Sequence, residues 1–270
     1  MPVDAELRSL DIEIPAQPEV LVKLSVLMAE EEIDLLAVSA LVEGDMALAA
    51  AVLKAVNSSL YGLRGRVQTV HQALTYLGMR EVSAIAFEMS LRAAFPPAAE
   101  LEPVWERAAK RGLMMGRIGQ TIGVDPWACH SAGLFEECGK AVLYRHAPQH
   151  YPAMLRAAAS DSELCALETS AFGVSHDALG AALCESWGLA PAAVASVRHH
   201  VTLQASGQMP EALQRRGVAA VSDIAHTLMN DPDTLENRVA LLADQVQLDP
   251  AACLRAARRV QEQLEQAAGR

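Results

Sequence analysis

Apolar residues recur along the chain at spacings of three and four, punctuated by proline, glycine and short polar residues, and this pattern predicts helices from end to end. Ile14-Pro15-Ala16-Gln17-Pro18 is a rigid lead-in, because each proline fixes its own φ and disfavours helix in the residue before it. A first helix carries Val20, Leu21, Leu24, Val26, Leu27 and Met28 and runs to the acidic cluster Glu30 to Glu32. Asp34 is placed to cap a second helix, Leu35 to Val42, which stops near Gly44, and Asp45 to cap a third, Met46 to Val56. After Asn57-Ser58-Ser59-Leu60-Tyr61-Gly62 and a loop to Val67, Thr69 caps a short helix through Leu77. Gly78 breaks that helix, and Val82 to Leu91 forms a fifth, ended by Phe95-Pro96-Pro97. The double proline is the best candidate boundary in the chain.

Beyond it a long helix runs from about Glu100 to Ile122 with Trp105 on its apolar side, closed by Gly123 and Pro126. Helical patterns follow through Ala128 to Tyr144, near Met154, over Ser162 to Ala171 with Ser160 or Asp161 as cap, and over His176 to Trp187 ended by Gly188. Pro191 suits the first turn of a helix over Ala192 to His200, and Val218 to Met229 and Pro250 to Ala267 complete the set. The expectation is an all-α fold of two packed helical bundles: five helices in residues 1–98, a second bundle in 99–205, and a helical extension over 206–270 packed on the second.

Composition agrees with helices and narrows the chemistry. Hydrophobic residues make up 51% of the 270, mostly Ala, Leu and Val, and aromatics only 4%, a mixture rich in helix formers and poor in strand formers. The formal net charge of -11 repels a polyphosphate backbone, so nucleic acid is not the expected partner. Five scattered cysteines, odd in number and without Cys-x-x-Cys spacing, argue against a disulfide framework or a zinc knuckle and fit a reducing cytoplasm. Met1 to Leu10 lacks the basic-then-apolar order of a secretory signal, and no apolar run approaches the ~20 residues that span a bilayer. A soluble, cytoplasmic chain without membrane contact is expected.

The stretch with most chemical content is Gly133-Leu134-Phe135-Glu136-Glu137-Cys138-Gly139-Lys140. It resembles the Gly-Leu-Leu-His-Asp-Ile-Gly-Lys signature of the HD superfamily of metal-dependent phosphohydrolases, with Glu136 in place of the His and Glu137 in place of the Asp. A second resemblance is carried by Ile14-Pro15 with Pro18-Glu19-Val20, Asp45 through Leu53, Ala55-Val56-Asn57-Ser58 with Tyr61-Gly62, and Ala73-Leu74 with Leu77-Gly78. These ordered motifs look like the N-terminal half of an HDOD domain, a family that pairs a small helical bundle with a degenerate HD-like bundle. The resemblance extends from about Ile12 to Val201. It implies a bacterial signalling or regulatory protein without catalytic activity.

By the same resemblance the HD metal positions fall on Arg107, on Glu136 and Glu137, and on Asp223, of which only Asp223 keeps the family's residue. The Arg107 register rests on spacing from Trp105, and one helical turn later stands Arg111. A guanidinium has no lone pair and stays charged, so it removes a ligand and repels an ion as well. Beside carboxylates it can take the ion's charge role instead, and Arg107 is expected to bridge to Glu136, Glu137 or Asp223. Lys140 is expected to pair with Glu136. His176, His199 and His200 match segments that supply extra ligands in HD enzymes with larger clusters, and form a possible residual metal or anion site. Adjacent helical residues diverge by about 100°, however, so His199 and His200 reach one point only at a distorted terminus. His71, His130, His146, His150 and His226 are read as surface or capping residues, and Cys138 as inert beside its acidic neighbours.

The leading expectation is therefore a non-enzymatic module that binds another protein, through an apolar groove between its helical halves and through Asn57, Ser58 and Tyr61. It has no catalytic residues, no cofactor and no bound metal. Two alternatives stand beside it. One is a divergent phosphohydrolase using His176, His199, His200 and Asp223. The other is a sensor that binds a nucleotide second messenger uncleaved, with Arg107, Lys140 and Arg198 as phosphate contacts.

Overall fold

The structure is a computed structural model and describes residues 12–29, 34–63, 65–210, 213 and 216–268. The segment Met1 to Leu10 and the acidic cluster Glu30 to Glu32 lie outside the described residues. Among the described residues the fold is all-α, with no strand. The chain divides into two compact units, one of residues 16–96 with 261 onward, the other of residues 97–260 with the segment ending at Pro15.

The smaller unit is built from α1 (Glu19–Ala29), α2 (Leu35–Glu43), α3 (Met46–Val56), α4 (Val70–Leu77) and α5 (Met79–Ala93). Short polar residues start them as their chemistry requires: Asp34 accepts from the Leu36 N–H at 2.8 Å, Asp45 from Ala47 and Leu48, and Thr69 from Gln72. Helix α5 packs on all four others and buries Val82, Ile85 and Ala86, facing Leu21 and Leu24, Val38 and Val42, and Val52 and Val56 in the unit's core. It begins three residues earlier than the apolar run suggests. Gly78, at φ +82°, ends α4 and starts α5 at once, so one residue makes the whole turn.

The larger unit contains α6 (Glu102–Ile122), α7 (Pro126–His146), α8 (Tyr151–Ala157), α9 (Asp161–Phe172), α10 (His176–Ser186), α11 (Pro191–Ser206), α12 (Arg216–Asn230), α13 (Leu235–Val246) and the first part of α14 (Pro250–Ala268). Helix α7 is its axis, packed by α6, α10, α11 and α12, and every residue from Ala128 to Leu143 is buried. Asp125 caps it through the Trp127 and Ala128 N–H groups, and Pro126 occupies its first turn.

Glycines let the neighbouring helices close on α7. A Cβ on Gly133 would stand 2.8 Å from the Gly112 backbone of α6, and one on Gly139 only 1.8 Å from the His176 carbonyl at the start of α10. The glycine frame of the octet is thus a packing requirement of a fully enclosed helix.

The expected division into 1–98, 99–205 and 206–270 differs at its last boundary. Helix α12 packs on α6, α7 and α11 within the larger unit, whereas residues from 261 onward group with the smaller one. Helix α13 carries no sequence expectation at all. The helix expected to stop at His200 runs on to Ser206, where Gly207 at φ +71° ends it.

Candidate functional site

Glu136 and Glu137 lie in the middle of α7, both fully buried. Two ionised carboxylates cannot stay dry without compensating charge. The compensation comes chiefly from Arg111 of α6, itself 2% exposed, whose Nη1 is 3.1 Å from Glu136 Oε2 and 3.3 Å from Glu137 Oε1. Ser196 of α11 donates to the other Glu136 oxygen at 3.2 Å. Arg107, one turn before Arg111 and half-exposed, reaches Glu137 Oε2 at 3.3 Å. Of the two registers open in the sequence, the buried position belongs to Arg111, and Arg107 stands at its rim.

Lys140 does not pair with Glu136. One turn along α7, it donates to Glu137 Oε2 at 2.9 Å and to Asp161 Oδ1, at the start of α9, at 2.8 Å. Burial alone raises the Glu137 carboxyl, but Lys140, Arg111 and Arg107 together hold it down at about 2. Asp161 is likewise pushed up by burial, yet Lys140 above all holds it well below the usual range. The same carboxylates raise Lys140 and Arg111 against the opposing effect of burial. The arrangement is a chain of alternating charge linking α6, α7 and α9.

Asp223 is absent from this chain, contrary to its expected place beside Glu136 and Glu137. It is buried on α12 and paired to Arg238 of α13, which donates through Nε at 2.5 Å and Nη2 at 2.8 Å. Arg238 Nη2 also donates to the Leu203 and Gln204 carbonyls, so one guanidinium ties α12 and α13 to the end of α11. Burial raises the Asp223 carboxyl despite this pair.

The histidines separate. His176, at the head of α10, and His200, on α11, are buried with ring centroids 5.7 Å apart, whereas His199 points to a half-exposed position. The 100° step between neighbours on a regular helix forbids a shared site. Glu168 of α9 accepts from the His176 ring at 2.7 Å, from its backbone N–H at 2.7 Å and from the Tyr151 hydroxyl at 2.5 Å. Of the histidines read as surface or capping residues, one is buried and one is half-buried. His130 is buried and stacks on Trp127, and His226 lines a cleft, its imidazole driven down to about 4 by burial and then by Arg111.

That cleft, of about 630 Å³, is bounded by Arg107, Arg111, Lys140 and Asp161 on one side and Gln204, His226 and Asn230 on the other. Arg198 is not among its lining residues. Asn57, expected to face a partner, is occupied within the smaller unit. Its amide donates to the Leu53 and Val67 carbonyls and accepts from the Val67 N–H, closing the loop from 57 to 67. Ser58 is exposed and Tyr61 half-buried, and a Cβ on Gly62 would stand 3.1 Å from Ala267. Cys138 is buried and its thiol pushed up, first by burial, then by Cys184 and Glu137, which disfavours the thiolate.

The HD signature implies a divalent ion held by the residues at 136 and 137. The residues here do not fit one: a permanent guanidinium stands within 3.3 Å of both carboxylates, and Lys140 holds Glu137 from the other side.

An all-helical HD-like fold with ion-paired glutamates at its signature positions is the class of protein that these observations define. A sequence model of the HDOD domain matches residues 14–203, and the chain belongs to the HDOD family. A solved HDOD domain protein of unknown function from Geobacter sulfurreducens has a TM-score of 0.73 at 17% identity, over 97% of this chain and 93% of that one. A structure from Marinobacter aquaeolei, provisionally named a signal transduction protein, has a TM-score of 0.70 at 21% identity, over 97% of this chain and 62% of that one. An uncharacterised protein from Treponema pallidum is 25% identical over 202 residues, which are 71% of this chain but 38% of the relative. The chain therefore spans under two fifths of that relative's length.

Proposed function

We propose that this chain is a regulatory HDOD protein that acts by binding another protein and turns over no substrate. The observation that carries the reading is the Arg111 guanidinium set against Glu136 and Glu137, all three side chains almost wholly buried at the base of the cleft. Water activation by a hard cation needs lone pairs converging on an ion, and these carboxylates spend theirs on side-chain cations. A scaffold kept intact around such a site serves recognition.

The test has two arms. Affinity capture from the source cell with the full chain as bait, followed by binding of the purified candidate, is expected to give a saturable complex. Phosphodiesterase assays with manganese or magnesium are expected to give no turnover above blank. Turnover lost in the Asp223→Ala variant would overturn the reading. A second reading, a nucleotide sensor, is favoured by one observation: the half-exposed Arg107 lines the cleft. Calorimetry with a panel of cyclic and linear nucleotides separates the two.

A further inference from the structure

His176 and His200 share a feature that their helices do not explain. A carboxylate oxygen and a backbone carbonyl can only accept, so the hydrogen on His176 Nδ1 points to Glu168 Oε2 and that on His200 Nδ1 to the Val197 carbonyl, each at 2.7 Å. Nδ1 is thereby the protonated nitrogen of each neutral ring, which leaves the Nε2 lone pair of each as the atom able to take a ligand. Both Nε2 atoms are buried and have no hydrogen-bond partner among the described residues. One orphaned imidazole nitrogen is a defect, whereas two whose rings lie 5.7 Å apart form a pair of donors.

A third donor joins them. The Asp161 carboxylate and the two histidines each offer a ligand atom, and the three atoms lie within 4.8 Å of one another. A tetrahedral zinc site with bonds of about 2.0–2.1 Å has edges of roughly 3.3 Å, so the three donors would draw together on an ion. The surroundings carry no net positive charge, although Lys140 donates to Asp161 Oδ1 at 2.8 Å and leaves only its other oxygen for an ion. Glu136, Glu137, Glu168 and Asp161 face Arg111 and Lys140, with Arg107 at the rim, so the carboxylates outnumber the basic side chains by one. Asp161 borders the cleft, which gives an ion a route in.

We propose that Asp161, His176 and His200 bind one divalent transition ion of the zinc and cobalt type, cross-linking the start of α9, the head of α10 and α11. Two imidazoles and one carboxylate suit such an ion better than magnesium or calcium, which prefer oxygen. Glu168 completes a carboxylate–histidine–metal arrangement, and the Tyr151 hydroxyl fixes Glu168 in turn. The set differs from the histidines that the sequence suggested, since His199 drops out and Asp161 enters. A neighbouring trio, Cys165, Glu168 and His176, is the weaker site, because its His176 Nδ1 and Glu168 oxygens are already bonded to each other. The ion needs no turnover and no partner, so this proposal and the protein-binding reading fail separately.

The test is titration of the chelator-treated full chain with cobalt(II), then zinc. One equivalent of cobalt is expected to give visible ligand-field bands that zinc abolishes, with a rise in Tm. His200→Ala is expected to abolish binding and Glu168→Gln to weaken it about 10- to 100-fold, while His199→Ala leaves it unchanged. Should the His200 variant fail to fold, nitrogen NMR of the wild-type imidazoles decides: zinc is expected to shift the Nε2 signals of two histidines while both Nδ1 stay protonated. Absence of stoichiometric binding by zinc or cobalt would overturn the proposal, as would binding that His199→Ala removes or His200→Ala spares.

Discussion

Arg111 on α6 and Glu136 on α7 form a salt bridge of 3.1 Å with both side chains almost wholly out of solvent. Burying either charge alone costs several kcal/mol, and the pair is tolerable because Glu137, Lys140 and Asp161 extend it into a connected chain. The consequences for stability can be measured.

The octet's glycines should be irreplaceable for steric reasons. Gly139→Ala places a methyl 1.8 Å from the His176 carbonyl of a neighbouring helix, which backbone cannot yield cheaply. The expected outcome in chemical denaturation is a loss above about 3 kcal/mol, or failure to fold. Gly123→Ala, at φ +78° but in open space, should cost about 1 kcal/mol.

Acid should weaken the larger unit in a defined window. The Glu137 carboxyl is held at about 2 in the folded chain against its ordinary 4.5, so its stabilisation is complete above about 4.5 and is lost as pH falls from there toward 2. Asp161, also depressed, adds in the same direction. Urea midpoints from pH 6 to 2.5 should fall steeply below about 4.5, by on the order of 3 kcal/mol for Glu137 alone. Lys140→Met should flatten that slope.

Glu88 on α5 behaves in the opposite sense. Burial raises its carboxyl to about 7, with Arg92 opposing, so its contribution is fully present below about 4.5 and is lost as pH rises from there through 7. Glu88→Gln should leave stability at pH 5 nearly unchanged and raise it at pH 8 by on the order of 2 kcal/mol, seen as a higher Tm. Equal Tm changes at both pH values would refute the assignment.

Much of the helix plan was legible because the caps are local chemistry: Asp34, Asp45, Thr69 and Ser160 announce their helices, and Gly78 its turn. The octet's position on a helix and its ion-paired character were also legible from residue types. Arg111 was harder to choose over Arg107, since spacing fixes a helix face but not which of two arginines one turn apart points inward. Helix α13 went unread, and Arg238 with it. Without Arg238, Asp223 looked like a surviving ligand, although its bidentate partner lies 15 residues further on. Asn57 suggested a partner surface because an asparagine after a helix carries the same signature whether it faces solvent or staples its own loop.

The most direct test of the account is a double-mutant cycle on Arg111→Met and Glu136→Gln, with unfolding free energies from urea denaturation at pH 7. Arg111→Met leaves buried carboxylates uncompensated and is expected to cost about 3–5 kcal/mol, and the double variant to recover a coupling of at least about 2 kcal/mol. A coupling near zero, with Arg111→Met as stable as the wild type, would show that the guanidinium does not hold the glutamate pair and would contradict the account.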